Sequence, residues 1–282
     1  MKRRIFIRLL NRAGYDLRKK DIAQKLCDSG EISQTSGWRV EFIGAYGVGK
    51  TTLFHAIWPQ YEHEWYSRKQ LRRHVEDQRI KLFNLPDPRF TPHFEKLLVL
   101  KFRNLIQSEW PMPNKVELYD FFKTQLGLDL YFSYSKLARG LFSDDGIIHN
   151  FAAELTEMMQ DDADDLKLDA FLTHLFKKRA LIYLKADPKI IEERLKIRSG
   201  EEPGACNDWI TYWHSYCSIN NITGCIVRVV NRVEQLLSVA EKRGAAVLRL
   251  DEKNGITQND REISGFLEGL KISEINRYHL IR

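Results

Sequence analysis

The residues Gly44-Ala45-Tyr46-Gly47-Val48-Gly49-Lys50-Thr51-Thr52 hold the densest chemistry in the chain. Gly44, Gly49, Lys50 and Thr51 satisfy the spacing G-x4-G-K-[ST]. Glycines let a backbone bend tightly enough to turn successive amide N–H groups toward one anion. A helix beginning near Lys50 aims its positive end at the same point. Lys50 adds a point charge for β- and γ-phosphates, and the Thr51 hydroxyl is a ligand for Mg²⁺. The expected binding residues are therefore Gly44 through Thr52, with ATP and Mg²⁺ as the implied ligands.

Mg²⁺ needs a carboxylate from the tip of a neighbouring strand. Leu141-Phe142-Ser143-Asp144-Asp145-Gly146 offers Asp144 for the metal's water shell, and Asp145 either as the cap of the next helix or as a base. Asp251 follows the more apolar run Val247–Leu250 but lies about 200 residues beyond the loop, and an ordinary cap of the next helix is the competing reading of Asp144. A third group is Arg194 and Arg198, one helical turn apart and therefore on one face. Beside them is a Ser-Gly-Glu-Glu-Pro-Gly stretch able to move, so a lid over about 194–208 is expected. Arginines closing over a transferring phosphoryl group neutralise the charge that develops there. Glu192, Glu193 and Lys196 surround the pair, so a plain solvated face is the competing reading.

These groups need a frame. Arg39–Ile43 reads as a buried strand and Lys50–Trp58 as the helix after it. Gly140–Ser143, Ala180–Leu184 and Ala245–Leu250 read as further strands. Helical patterns run from Ile147 to about Gln160, from Pro188 to Arg198 behind an Asp187 cap, and over Glu262–Leu270. Such alternation argues an α/β fold with a parallel sheet flanked by helices. Residues of about 60–137 are mostly helical, broken at Leu85–Pro88 and Pro111–Pro113, and form an insertion between the first strands. Phe94, Leu97, Leu98, Phe102, Leu105 and Ile106 make one apolar stripe within it. This insertion is the expected acceptor-binding part. Trp58, Trp65, Trp110, Tyr61, Tyr66 and Tyr119 flank it, more in the manner of core than of ligand stacking. Arg68, Arg72 and Arg73 are candidates to clamp an anionic acceptor.

With these parts in order, residues 38–270 resemble the nucleoside and nucleotide kinase group of P-loop NTPases, which includes thymidylate, adenylate and deoxynucleoside kinases. The likeness rests on the GxxGxGKTT loop, the Asp-Asp-Gly after a middle strand, and the strand–Ala-Asp-Pro–helix–Arg-Leu-x-x-Arg segment. It implies a five-stranded parallel sheet, Mg-ATP as donor, a mobile lid, and catalytic roles for Lys50, Asp144, Arg194 and Arg198. The sequence departs from that group in lacking an Asp-Arg-Tyr or Glu-Arg-Ser signature after the Asp-Asp-Gly strand. Asp-Asp-Gly-Ile-Ile-His with Arg-Ala-Gly-Tyr-Asp-Leu is similar also to P-loop proteins encoded with bacterial surface-polysaccharide enzymes. The expected activity is phosphoryl transfer to a small molecule: a nucleoside, a nucleotide, or a sugar or lipid precursor. The alternative is a nucleotide-binding protein without turnover.

Composition narrows the rest. The 282 residues are 43% apolar and 29% charged, enough to bury a core without staples. A GTPase is disfavoured because no DxxG switch or NKxD base reader is present. Cys206, His214, Cys217 and Cys225 match no zinc-knuckle spacing, and cysteine usage suits a reducing cytoplasm. Asp161, Asp162, Asp164 and Asp165 read as a solvated turn. The net charge of +6 comes from Met1–Lys25, which carries +7; the remainder is −1. A nucleic-acid partner is therefore not expected, because that footprint spreads over a fold. Residues 1–36 divide into a basic leader and a Gly/Ser/Thr linker, with 37–282 as the domain. In the leader Ile5, Phe6, Leu9 and Leu10 share one face, which fits peripheral contact with an anionic membrane as well as a helix packed on the body. If the first holds, full-length protein binds anionic vesicles with ~1 kcal/mol per basic residue near the surface. Cosedimentation should then fall with rising salt and be lost in a chain starting at Ser29; equal binding of the two chains assigns the leader a structural role.

Overall fold

In the computed structural model, residues 35–78, 90–108, 111–135, 137–161, 165–201 and 222–279 are described. Strand β1 (Arg39–Ile43) is buried at all five positions, which only a strand covered on both faces can be. It is followed by α1 (Lys50–Tyr61), β2 (Trp65–Tyr66), α2 (Arg68–Asp77), α3 (Thr91–Ile106) and α4 (Met112–Tyr134). Next come β3 (Gly140–Ser143), α5 (Ile147–Asn150), α6 (Ala152–Asp161), α7 (Leu166–Phe176) and β4 (Arg179–Lys185). The chain closes with α8 (Pro188–Glu201), α9 (Ile222–Lys242), β5 (Ala246–Asp251), a 3-10 turn over Glu252–Asn254, and α10 (Gly255–His279). The five strands lie in the order β2-β3-β1-β4-β5, and every pairing is parallel.

This order makes β1 the centre. The chain passes first to one side of it and then to the other, so a crevice opens where β1 ends and the direction reverses. The segments leaving β1, β3, β4 and β5 meet along that edge. Val40 and Phe42 point into one apolar layer with α1, α8 and α10; Ile43, Leu181 and Tyr183 point into the other with α3 to α7. Phe142 anchors α1 to the sheet, with ring centroids 5.3 Å from Phe54, 5.7 Å from Tyr61 and 5.8 Å from Phe42. Each such pair contributes about 0.5–1.5 kcal/mol beyond area burial, which explains how a four-residue strand of modest apolarity holds its place. Among the described residues, no helix is long and apolar enough to cross a membrane.

Several expectations change in detail. The insertion contains β2, a two-residue edge strand too short to show periodicity. The helix expected over 147–160 breaks at Phe151, which turns into the core against Phe122 at 5.9 Å. In α3 the buried face is Phe94, Leu97, Lys101 and Leu105, while Phe102 and Ile106 are exposed. Lys101 belongs to the inner face because its ammonium pairs with buried Glu154 at 2.8 Å and lies over the Phe122 ring. The final helix is far longer than Glu262–Leu270. Asp165 caps α7 by accepting from the Lys167 amide at 2.8 Å, so it is a helix cap and not merely part of a solvated turn. Leu85–Pro88, Trp110 and the leader, residues 1–34, lie outside the described residues.

A buried charge network sits under the second layer. Arg179 is 1% exposed; its Nη1 donates to Glu41 Oε1 at 2.5 Å and its Nη2 to both Asp129 oxygens at 3.0 and 2.8 Å. Arg39 donates to Asp129 at 3.3 Å and to the Lys177 carbonyl at 2.7 Å. Burial alone would raise the Asp129 carboxyl, but Arg179 and then Arg39 outweigh it and hold it below the ordinary range. Removing one partner leaves a carboxylate buried without its counter-charge, which costs about 3–5 kcal/mol. Arg179→Met is therefore expected to lose that much stability in urea unfolding, whereas exposed Arg72→Met, paired only with Glu76 on its own helix, should change stability by less than about 0.5 kcal/mol.

Candidate functional site

The crevice at the end of β1 is a cavity of about 700 Å³, within which the Tyr46–Leu53 segment, Asp144, Asp145 and Arg194 meet. The loop leaves β1 with φ of +148° at Gly44, +78° at Gly47 and +104° at Gly49. At Gly49, the residue capping α1, this left-handed conformation strains any side chain. No side chain caps α1 among the described residues, and its first turn holds no acidic group. By contrast α2 begins with a reciprocal Ser67–Gln70 capping box. The first amides of α1 thus have no side-chain acceptor among the described residues, and the positive end of the helix lies at the cavity wall.

Lys50 is buried, and its Nζ donates to the carbonyls of Gly44 at 3.1 Å and Ala45 at 2.9 Å. It also lies 5.6 Å from the Tyr46 ring centroid. Burial lowers its pKa to about 8, against the opposing pull of Asp145 and Asp144. Thr51 donates its hydroxyl to Asp144 Oδ2 at 3.2 Å. Burial and the neighbouring Asp145 charge raise the Asp144 carboxyl. The sheet order sets the two candidate carboxylates apart. Asp144 leaves β3, directly beside β1, whereas Asp251 leaves the far strand β5 and caps the Lys253 amide at 2.9 Å.

Asp145 accepts from Arg68 Nη1 at 2.5 Å and from Asn150 Nδ2 at 3.3 Å. Arg68 thus reaches the cavity wall by way of Asp145. Of its companions, Arg73 is exposed and Arg72 pairs with Glu76 at 2.8 Å, so the three do not form one clamp. The reason is periodicity: four residues separate Arg68 from Arg72, but Arg72 prefers the carboxylate one turn on. Gly146 is required by close approach, since a Cβ there would lie 1.6 Å from Glu41 Oε2. That same oxygen accepts the Ile148 amide at 3.1 Å and so fixes the Asp-Asp-Gly turn from below.

Arg194 reaches the loop from α8. It donates to the Val48 carbonyl at 3.3 Å and pairs with Glu252 from the turn after β5. Asp187 caps α8 through the Lys189 amide at 2.9 Å, as its sequence position implies. The Arg198 side chain and residues 202–208 of the expected lid lie outside the described residues, as do Cys206, His214 and Cys217. Cys225 is a buried core thiol. Trp65 is buried, and Trp58 stacks on Phe54 at 5.3 Å, so these aromatics are core.

Three groups of the wall escape sequence reasoning: Glu252, Asn150 and His149. Asn150 and His149 follow the Asp-Asp-Gly turn, where their one-turn spacing from Asp145 and Gly146 is a usable signal. His149 is buried 5.3 Å from the Tyr46 ring. Burial, then Lys50, Lys101 and Arg68, push its pKa well down and keep it neutral. The chain matches no family model and no curated protein sequence.

The Lys50 shift has a measurable sign. Its folded pKa, about 8, lies below the ordinary 10.5 of the unfolded chain. Charged Lys50 therefore costs stability below about pH 8, and this cost is relieved as pH rises from 8 toward 10.5. NMR of ¹³C-dimethylated protein should show one lysine titrating near 8, absent in Lys50→Arg. Asp144→Asn/Asp145→Asn should move that midpoint lower still, because both carboxylates support the charge; an unmoved midpoint breaks the assignment.

Proposed function

We propose that the protein is a P-loop NTPase of the nucleoside and nucleotide kinase-like group that transfers the γ-phosphoryl of Mg-ATP to a small-molecule acceptor. The reading is carried by one observation: the uncapped start of α1, Lys50 and the Thr51–Asp144 pair converge on the same end of a single cavity. The residues fit the ligand. A Cβ at Gly44 would lie 2.6 Å from the Leu184 carbonyl, so the loop can follow this path only with glycine there. The donor set of amides, an ammonium and an arginine is that of a polyphosphate site, and hydroxyl plus carboxylate is a hard-oxygen set suited to Mg²⁺.

Mg-ATP, when bound, supplies the phosphoryl group and the metal that draws charge from it. The amides from Gly47 to Thr51 bind phosphate oxygens, and Lys50 exchanges its hold on two carbonyls for them. Thr51 and Asp144 would hold the metal. Asp145, oriented by Arg68 and Asn150, takes the proton of the acceptor hydroxyl. Tyr46 and neutral His149 shape the wall without adding charge. Arg194 leans over the loop from α8 and stabilises the transferring group, with Arg198 one turn further along the same helix. Helices α2 to α4 supply the acceptor side, and the acceptor is a nucleoside, a nucleotide, or a sugar or lipid precursor. Peripheral membrane contact through the leader and a cytoplasmic setting go with this reading.

Losing one preorganised contact to a transition-state oxygen costs ~3–4 kcal/mol, or ~10²–10³ in rate. Lys50→Ala should lower acceptor-dependent ADP release by that factor in a screen of nucleosides, nucleotides and sugar derivatives. Arg194→Ala should lower kcat at least tenfold with ATP affinity nearly unchanged, since its contact strengthens at the transition state. ATP binding that depends on Lys50 but produces no ADP with any acceptor points to the binding protein without turnover; binding and turnover both indifferent to Lys50 reject the site.

A further inference from the structure

Helices α3 and α4 form an antiparallel hairpin. Phe102 on the first packs against Tyr119 on the second, ring centroids 5.0 Å apart, and the Lys115 ammonium donates to the Ile106 carbonyl at 2.8 Å. Their inner sides are already used, with Phe94, Leu97, Phe122 and Leu126 in the core layer. A second apolar face looks outward. Val99, Phe102 and Ile106 recur at i, i+3 and i+7 on α3, and Met112 and Val116 at i and i+4 on α4, so each set is one helical stripe. Ten large apolar side chains are exposed among the described residues, and these five are half of them. Apolar side chains exposed singly are ordinary, but a contiguous set marks a surface that something covers.

The border of this face is acidic. Glu95 on α3 and Glu117 and Asp120 on α4 are exposed, and no hydrogen bond or ion pair engages them among the described residues. Arg103 is taken up by Glu157 at 2.6 Å. Of the nearby lysines Lys96 is half-buried and Lys123 exposed, so the three carboxylates outnumber them. Such a border disfavours an anionic bilayer. It also disfavours a second copy of the chain, which would bring the same carboxylates against themselves. It favours a segment with an apolar stripe and basic margins.

We propose that the outer face of the α3–α4 hairpin is the docking site of this chain's own N-terminal segment. There Phe6, Leu10, Ala13 and Leu17 recur at i, i+4, i+7 and i+11, the anchor spacing with which an amphipathic helix lays one side in a groove. Arg4, Arg8, Arg12 and Arg18 lie outside that stripe, on side chains long enough to reach a border. The reach is sufficient. Ser36 donates its hydroxyl to the Leu137 carbonyl at 2.7 Å, so the chain enters the fold beside the C-terminal end of α4. Val116 is eighteen residues back along that helix from Tyr134, about 27 Å at 1.5 Å per residue. The residues between Leu17 and Ser36 can span about 60 Å when extended. Contact with a bilayer would use the same apolar residues, so the two surfaces compete for one face of the leader. The docking is independent of the loop cavity and stands whether or not that cavity binds ATP.

The test places a photo-crosslinker on the face in the full chain, as Val116→p-benzoylphenylalanine, and maps the products by mass spectrometry. Crosslinks are expected to residues 5–17 of the same chain, with a yield independent of protein concentration. Phe6→Glu/Leu10→Glu should lower that yield at least fivefold, and Glu95→Lys/Glu117→Lys/Asp120→Lys at least threefold at low salt. Val99→p-benzoylphenylalanine should give the same pattern, which decides the matter if the first probe disturbs the hairpin. Crosslinks that miss the leader at both positions, or that survive Phe6→Glu/Leu10→Glu, overturn the proposal. So do crosslinks that join two chains, which make the face a self-association surface. With anionic vesicles added, crosslinks to lipid that persist in Phe6→Glu/Leu10→Glu make it a bilayer contact and overturn the proposal as well.

Discussion

Glu41 on β1 and Arg179 on β4 lie two positions out of register on adjacent strands, and the 2.5 Å contact between them governs more of the molecule than any other. Arg179 continues to Asp129 on α4, so the helical insertion is tied to the sheet through a charge as well as through apolar packing. Glu41 spends its other oxygen on the Ile148 amide, immediately after Asp144-Asp145-Gly146. One carboxylate thus sets the register of β1 against β4 and holds the turn that delivers two aspartates to the cavity. Removing such ions from water costs several kcal/mol each, offset here by multiple hydrogen bonds to every member. A network of this kind adds little net stability, but each misplacement leaves a buried charge uncompensated, so it enforces one arrangement.

Above that base, the cavity balances its charges closely. Lys50, Arg68 and Arg194 face Asp144, Asp145 and Glu252, and most of these groups engage one another. The balance explains the opposite shifts of Lys50 and Asp144: each is buried, and burial disfavours its charged form. A polyanion arriving with a divalent cation would restore both charges, since it gives Lys50 an anion and Asp144 a cation.

In the cavity, backbone amides left without a side-chain cap supply the donors. Behind it Asn104, Glu154 and Lys101 join α3 to α6, with the Lys101 ammonium over the rings of Phe122 and Phe151. That ammonium also helps to push the His149 pKa down.

The sequence by itself determined the strands β1 and β3 to the residue, the start of α1, the Asp187 cap and the parallel α/β class, because these rest on local chemistry: apolar runs, glycine conformations and capping side chains. It also singled out Lys50, Thr51, Asp144 and Arg194, which the fold does bring together around one cavity. It put Asp144 ahead of Asp251 only on distance along the chain, since the strand order that sets Asp144 beside the loop depends on which apolar faces pack, a property of distant residues. Nor did it reveal the charged members of β1 and β4. Arg39–Ile43 reads as a buried strand, but nothing local shows what satisfies Arg39, Glu41 and Arg179; Asp129 on α4 does so from far along the chain. The inner side of α3 was misjudged for the same reason, as Lys101 is buried by a carboxylate fifty-three positions later in the chain. Local chemistry decides what each segment can become, and the choice of neighbours, made by burial across long sequence separations, decides which of its residues act.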